Sequence, residues 1–109
     1  MGKPIERDFT QKKGILKFFP YEGAACIVPQ TMASSPDGNG NKIVKAGTPF
    51  PSNDNKCVGY LLEDVDVTMG YAPGTYVYQG SIDNKKLTEN GVTVEETAKA
   101  ATPRVTFFD

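Results

Sequence analysis

Residues 43–68 carry the strongest hydrophobic pattern of the sequence. Residues 57–62 form a continuous apolar run, which is typical of a buried strand when turn residues bound it. Beyond this run the pattern alternates, and Val65, Val67 and Met69 fall on one face of an extended chain. Alternation with a period of two indicates a strand with one buried face. The segment therefore predicts strands at the centre of a β-rich domain.

Glycine and proline residues limit how these strands pair. Gly59 lies inside the apolar run and indicates a bulge or a close approach of another backbone. Pro49 and Pro51 lack a backbone N–H, so residues 48–51 are excluded from the centre of a sheet. Residues 43–46, which precede them, predict a short strand.

Other apolar segments predict strands over residues 23–29, 75–79 and 105–108. In the second of these, Tyr76 and Tyr78 share one face and Val77 lies on the other. Residues 70–74 before it have the glycine and proline content of a turn, and Gly80 is expected to end it.

Helical signals are confined to the last quarter of the chain. Thr93 and Glu96 have the Thr-x-x-Glu spacing of a capping box, which predicts a helix over residues 94–101. Pro103 ends that helix because it has no N–H to donate. Residues 85–90 fit one further helical turn. The chain is therefore predicted to be mainly β, with one short helix near the C-terminus.

The N-terminal part lacks a regular period. We expect an extended arm over residues 1–20 and a β-rich domain over residues 21–109. On one interpretation the arm adds a strand to a partner's sheet; on the other, residues 14–19 form a strand of the domain's own sheet. The apolar candidates for partner contact in the arm are Ile5, Phe9, Ile15, Leu16, Phe18 and Phe19.

Composition excludes several classes of function. The 12 basic and 13 acidic residues give a net charge of −1, with none of the basic clustering that a phosphate backbone requires. No apolar run approaches the length of a transmembrane helix. Eleven glycines and eight prolines suit short strands joined by turns. We therefore expect neither a nucleic-acid nor a membrane partner.

The two cysteines, Cys26 and Cys57, do not form a C-x-x-C pair. Residues 1–20 lack the apolar region of a signal peptide, so we expect synthesis in the cytoplasm and reduced thiols. A disulfide between the two cysteines stays open as an alternative, because sequence does not fix the distance between their Cα atoms.

The sequence offers few groups for catalysis or metal binding. It has no histidine, which removes the commonest general base and metal ligand. Asp64 and Asp66 share a strand face; a solvated face explains them better than a small hydrolase does. Asp37 and Asn39 resemble the opening of a calcium loop, but a lysine stands where that loop requires glycine. We therefore expect no enzyme, no metal and no cofactor.

The aromatic residues are more informative. Tyr21, Tyr71, Tyr76 and Tyr78 are candidate interface residues, because tyrosine combines apolar area with a polar group. They also fit the ordinary positions of sheet residues. A third interpretation is a stacking platform made by Tyr71, Tyr76 and Tyr78 in a carbohydrate-binding or receptor-binding β module.

Several segments from residue 43 to the C-terminus resemble the head decoration proteins of tailed phages, both the lambda-type capsid-stabilising protein and the capsid-attached domain of head fibre proteins. The segments are Lys45-Ala-Gly-Thr-Pro-Phe-Pro51, Val58-Gly-Tyr-Leu-Leu-Glu-Asp-Val-Asp-Val-Thr68 and Gly74-Thr-Tyr-Val-Tyr-Gln-Gly80. Residues 95–101 and 105–108 are similar to the short helix and last strand of that family. Residues 1–30 match only in role.

The resemblance implies a small single-domain β-rich fold, β-tulip or barrel-like, with a minor helix. It implies a homotrimer on the virion surface, at three-fold or quasi-three-fold positions of the head. Family members hold neighbouring major capsid proteins together, partly through an N-terminal arm. The sequence ends at Asp109 without a fibre domain, which favours the compact decoration protein over the head fibre type.

Overall fold

The computed structural model describes residues 14–33 and 40–109, and it confirms the mainly β class. Most of the strands and helices occur in the predicted order along the chain, although the strand lengths differ from those predicted. The elements of the described residues are β1 (Glu22–Val28), a 3₁₀ turn (Gln30–Met32), β2 (Ile43–Val44), β3 (Pro49–Phe50), β4 (Gly59–Leu61), β5 (Val65–Asp66), β6 (Ala72–Asp83), α1 (Asn84–Glu89), α2 (Glu96–Ala101) and β7 (Val105–Phe108).

The 12-residue strand β6 is the centre of the main sheet. β1 runs antiparallel to its first part, and β7 runs parallel to its last part, next to Gly80–Asp83. On the opposite edge, β4 pairs antiparallel with Tyr76 and Val77, and β3 lies beyond β4. Further along that edge, Leu16 forms an antiparallel bridge with Ile82. Four separate segments of the chain therefore meet β6.

A second, two-stranded sheet formed by β2 and β5 packs against one face of the main sheet. Antiparallel pairing joins Val44 to Val65, and both side chains are buried. They pack in one cluster with Val28 and Leu61 of the main sheet. The apolar segment that dominated the sequence thus supplies both layers of this cluster.

The opposite face of the main sheet packs against the two helices. Tyr60 and Ile82 from the sheet cluster with Leu87 of α1 and Ala98 of α2. Each of these side chains is buried, and Val105 of β7 completes the cluster. The helices therefore cover the face of β6 that β2 and β5 leave open.

The prediction of a close backbone approach at Gly59 is confirmed. A Cβ atom at this position would lie 2.4 Å from the carbonyl oxygen of Val77 and 2.7 Å from the ring of Tyr76. The exclusion of residues 48–51 from the sheet centre is also confirmed, because β3 pairs with β4 alone and ends the sheet.

The predicted turn at residues 70–74 extends too far: the chain turns at residues 67–70, but β6 already begins at Ala72. The predicted stop at Gly80 is wrong, because β6 continues to Asp83. Pro73 pairs with Ile27 of β1, and its nitrogen faces the other edge of β6, at a position that β4 does not reach. No hydrogen bond of the ladder is therefore lost at this proline. Gly80 adopts a φ of 148° and pairs with Val105.

Met69 was predicted to continue the buried face of Val65 and Val67, but it is 98% exposed. The strand ends at Asp66, whose carboxylate accepts a hydrogen bond from the Thr68 N–H at 2.9 Å. The chain then turns, and the Gly70 N–H donates to the Val67 carbonyl. This turn breaks the alternation.

The start of α2 differs from its prediction, whereas α1 lies where a helical turn was predicted. α2 begins at Glu96 rather than residue 94, and the capping box does not form. Instead, the Asn53 side chain accepts from the Glu95 N–H and donates to the Thr93 carbonyl. The helical turn expected at residues 85–90 is confirmed as α1, with Asp83 as its N-cap.

The second interpretation of the N-terminal part is correct only in part: residues 14–17 pack with the domain, but Leu16 makes an isolated bridge with Ile82 and residues 14–19 form no strand. The Ile15 N–H donates to the Leu62 carbonyl at 2.9 Å, and the Ile15 carbonyl accepts from the Asp83 N–H at 2.9 Å. Ile15 and Leu16 are fully buried. Their assignment as partner contacts is therefore corrected, because these side chains fill the core next to β4 and β6.

Candidate interaction surface

The predicted contact residues separate into three groups by burial. Ile5 and Phe9 lie outside the described residues, and Ile15 and Leu16 belong to the core. Phe18 and Phe19 remain candidates, with exposed fractions of 51% and 37%.

Phe18 contacts Phe108, which no sequence signal linked to it. The two ring centroids lie 5.5 Å apart, and the rings meet edge to face at 77°. Phe108 is 38% exposed and lies at the end of β7. An aromatic pair with this geometry gains stability beyond its area of contact while keeping part of both rings accessible.

Ser81 fixes the backbone at Phe18. Its buried hydroxyl accepts a hydrogen bond from the Phe18 N–H at 2.9 Å and donates one to the Phe18 carbonyl at 3.1 Å. Next to it, the Lys17 ammonium donates to the Asp109 carbonyl at 3.3 Å. The exposed phenylalanine is therefore held by the central strand.

The aromatic contacts continue along the chain. The rings of Phe19 and Tyr21 lie 6.4 Å apart, and Tyr21 packs against the cluster of Leu16, Leu62 and Val77. We call Phe18, Phe19, Tyr21 and Phe108 the aromatic strip. Rigid aromatic groups with exposed faces are typical of protein interfaces.

Tyr71, Tyr76 and Tyr78 do not form a single stacking platform, because the tilted rings of Tyr76 and Tyr78 lie 6.2 Å apart but Tyr71 contacts neither. Tyr76 stacks on Phe50 at 5.4 Å and packs against the apolar cluster below it. The Tyr78 ring faces the Arg104 guanidinium at 5.9 Å, and its hydroxyl donates to Glu22. Tyr71 is 77% exposed and contacts no other ring of the described residues. These positions give little support to the carbohydrate-binding alternative.

Further exposed apolar residues escaped the sequence prediction: Ile27 (57%), Val58 (46%) and Met69. Ile27 lies in β1, where an apolar run gave no sign of which face would be exposed. Phe108 also escaped, since its position beside Phe18 depends on the parallel pairing of β7 with β6. No local pattern encodes that pairing.

The aspartates considered for hydrolysis stabilise turns. One oxygen of Asp64 accepts from the Ala46 N–H at 2.8 Å, and the other lies 3.6 Å from the Lys45 ammonium. Hydrogen bonds from the Thr68 side chain and backbone lower the pKa of Asp66. Asp37 and Asn39 of the loop considered for calcium lie outside the described residues.

Both cysteines are free thiols, which corrects the disulfide alternative. Cys57 is buried, and its thiol donates to the Gly59 carbonyl at 3.2 Å. Burial raises the pKa of Cys57 and of Cys26. Within residues 14–33 and 40–109, no group of three metal-ligating side chains comes together.

An open groove of about 510 Å³ lies between β3 and the connection of α1 to α2. Two of its polar residues are already bonded to the backbone. Asn53 holds the start of α2, and the Asn90 amide donates to the Ala46 carbonyl at 3.0 Å. These two side chains therefore join the helical part of the chain to the strands.

In the part of the chain that the structure describes, no helix is both long and apolar enough to span a membrane. Comparisons of the chain with family models, curated proteins and solved structures found no match.

Proposed function

We propose that the protein binds the outer surface of a tailed-phage head as a homotrimer and stabilises the major capsid protein lattice. We base this proposal on the resemblance of residues 43–109 to head decoration proteins. One structural observation supports it: the aromatic strip is exposed yet held by the fold. In this role the protein is a virion component and performs no catalysis.

The residues that carry the resemblance form the scaffold. Gly59, Tyr60 and Leu61 are buried in β4, and Val65 and Val67 fill the cluster between the two sheets. A shared core pattern supports a shared architecture. The proposed contacts with the capsid belong to exposed residues rather than to this buried pattern.

The aromatic strip provides such contacts. Phe18 and Phe108 keep apolar area exposed, and the Ser81 hydroxyl fixes the backbone at Phe18. A partner therefore meets a surface whose conformational entropy is already reduced, which lowers the free-energy cost of binding. Three linked copies on one head bind far more tightly than a single copy.

Co-sedimentation with empty, expanded heads of the phage that encodes the chain tests this role. We expect wild-type protein to pellet with heads and the double variant Phe18→Ser/Phe108→Ser to lose at least tenfold in affinity. Val58→Ser is the control, because Val58 is similarly exposed but lies outside the strip. If the double variant is correctly folded and pellets like the wild type, the aromatic strip has no role in attachment.

Residues 1–13 supply the second proposed contact, through Ile5 and Phe9. We expect deletion of residues 2–13 to leave the domain folded but to weaken attachment to heads. Circular dichroism measures the first effect and co-sedimentation the second. Undiminished binding of the truncated protein would contradict an arm contact.

A further inference from the structure

The outer edge of β1 differs from the other free edges of the main sheet. β3 has two residues; it begins with Pro49 and is followed by Pro51, and neither proline can donate a backbone hydrogen bond. β7 has four residues and lies between Arg104 and Asp109. Short length, proline and charge are the usual means of preventing pairing between sheet edges. Both of these edges are therefore protected.

β1 has none of these protections. Its seven residues are Glu-Gly-Ala-Ala-Cys-Ile-Val, with no lysine, arginine or proline and with a single charge at one end. That charge also has a partner, since Glu22 accepts a hydrogen bond from Tyr78 at 3.3 Å. Ile27 is 57% exposed beside the edge. From Gly23 to Val28 the edge is uncharged and carries an exposed β-branched residue, which favours pairing with another strand.

The ladder identifies which backbone groups of β1 have no partner among residues 14–33 and 40–109. The Thr75 carbonyl accepts from the Leu62 N–H, so this residue directs its polar groups away from β1. Because successive residues of a strand point their N–H and C=O groups to opposite edges, Gly74 and Tyr76 direct these groups towards β1. Their partners there are Cys26 and Ala24. The N–H and C=O groups of Gly23, Ala25 and Ile27 consequently point outwards.

We infer that two copies of the protein pair through antiparallel β1 strands related by a two-fold axis at Ala25. This register places Ala25 opposite Ala25 of the partner copy and pairs Gly23–Ile27, the part of β1 that follows the register shift between Glu22 and Gly23. The free groups of Gly23 and Ile27 then meet those of Ile27 and Gly23 in the other copy. Each outward donor finds an outward acceptor.

Side-chain volumes fit this register. Ile27 lies opposite Gly23 of the partner copy, where no side chain competes for space. The Tyr21 ring borders that position, because its edge lies 3.3 Å from where a Cβ of Gly23 would be. Each Ile27 therefore packs beside an aromatic ring, and the two-fold axis makes this contact twice. A pairing of this kind is isologous and closes with two copies.

A two-fold contact joins two protomers or two trimers but does not build a trimer. It therefore requires a surface other than the one that would form the proposed trimer. The inference does not depend on binding to phage heads, and its test uses the full chain alone. Failure of one proposal thus leaves the other intact.

Cysteine cross-linking measures the register. Directly opposed residues of a hydrogen-bonded antiparallel pair have Cα atoms about 5.5 Å apart, within disulfide range. We expect Ala25→Cys in a Cys26→Ala background to form chain dimers on a non-reducing denaturing gel after mild oxidation. Ala24→Cys in the same background, and wild-type Cys26, are expected to give at least tenfold less dimer.

Whether the cross-linked dimer depends on the β1 edge is tested in the Ala25→Cys/Cys26→Ala background. Adding Ile27→Lys should reduce the dimer at least tenfold, since it places a charge at the pairing edge. Adding Val58→Lys, at another exposed site, should leave it unchanged. Equal cross-linking at positions 24, 25 and 26, or no effect of Ile27→Lys in a folded protein, would overturn the inference.

Discussion

Tyr60 and Thr102 form a buried pair that links the main sheet to α2, and its removal gives a measurable change in stability. The Tyr60 ring is fully buried. Its hydroxyl lies 2.7 Å from the Thr102 hydroxyl and 3.3 Å from the Ala98 carbonyl. Thr102 also donates to that carbonyl at 3.1 Å. The two hydroxyls therefore form a chain of hydrogen bonds that ends on α2.

Removal of the Tyr60 hydroxyl and removal of the Thr102 hydroxyl should lower the free energy of unfolding by different amounts. Tyr60→Phe deletes one hydroxyl, while Thr102 still donates to Ala98, so we expect a loss of about 1 kcal/mol in the free energy of unfolding. Thr102→Val removes the shortest hydrogen bond of the buried Tyr60 hydroxyl and leaves it with its longer bond to the Ala98 carbonyl and its contact with the Cys57 thiol. We expect this variant to lose about 2 kcal/mol.

Urea denaturation of the two single variants and the double variant measures both the order and the coupling. We expect the double variant to lose less than the sum of the single losses, because each single change already breaks the shared bond. At roughly 4 °C per kcal/mol, the effects are also visible in thermal melts. Losses that add to within about 0.3 kcal/mol would show that the two hydroxyls do not interact.

Three further predictions follow from single contacts. Burial raises the pKa of Tyr60 above its ordinary value of 10.0, so its neutral form stabilises the folded state fully below about pH 10. This contribution should fall as pH rises beyond that point, and urea midpoints of Tyr60→Phe should decline less than those of the wild type. Gly59→Ala places a methyl 2.4 Å from the Val77 carbonyl oxygen and should cost about 1–3 kcal/mol in urea denaturation, whereas exposed Val58→Ala should cost much less. Ser81→Ala removes both hydrogen bonds to Phe18 and should speed hydrogen exchange at the Phe18 amide; unchanged exchange would contradict the assigned contact.

The elements that local pattern encodes were predicted well. β1, β4 and β7 lie where apolar, β-prone segments are bounded by proline or polar residues. Residues 48–51 were correctly excluded from the sheet centre because proline lacks a donor. Gly59 was correctly interpreted because its environment allows no side chain.

The elements that depend on distant partners were not predicted from the sequence. β6 continues through Pro73 and Gly80 because strands on either side supply hydrogen bonds that no local pattern announces. Ile15 and Leu16 are buried because their backbones pair with Leu62, Asp83 and Ile82. The apolar character of this segment fits an N-terminal arm equally well, so the sequence did not distinguish the two.

The aromatic strip was predicted in part. Phe18, Phe19 and Tyr21 were selected from the sequence because they cluster before β1. Phe108 completes the strip only after β6 and β7 pair in parallel, which brings the last strand to the first described residues. Long-range pairing therefore defines the surface that local composition only suggested.

A saturation titration of empty, expanded heads with the purified protein tests the proposed role most directly. The amount of chain that pellets with the heads is measured against the amount of major capsid protein. We expect binding to reach a plateau with three chains at each local three-fold position. Absence of pelleting, or binding that rises without a plateau, would contradict a specific decoration role.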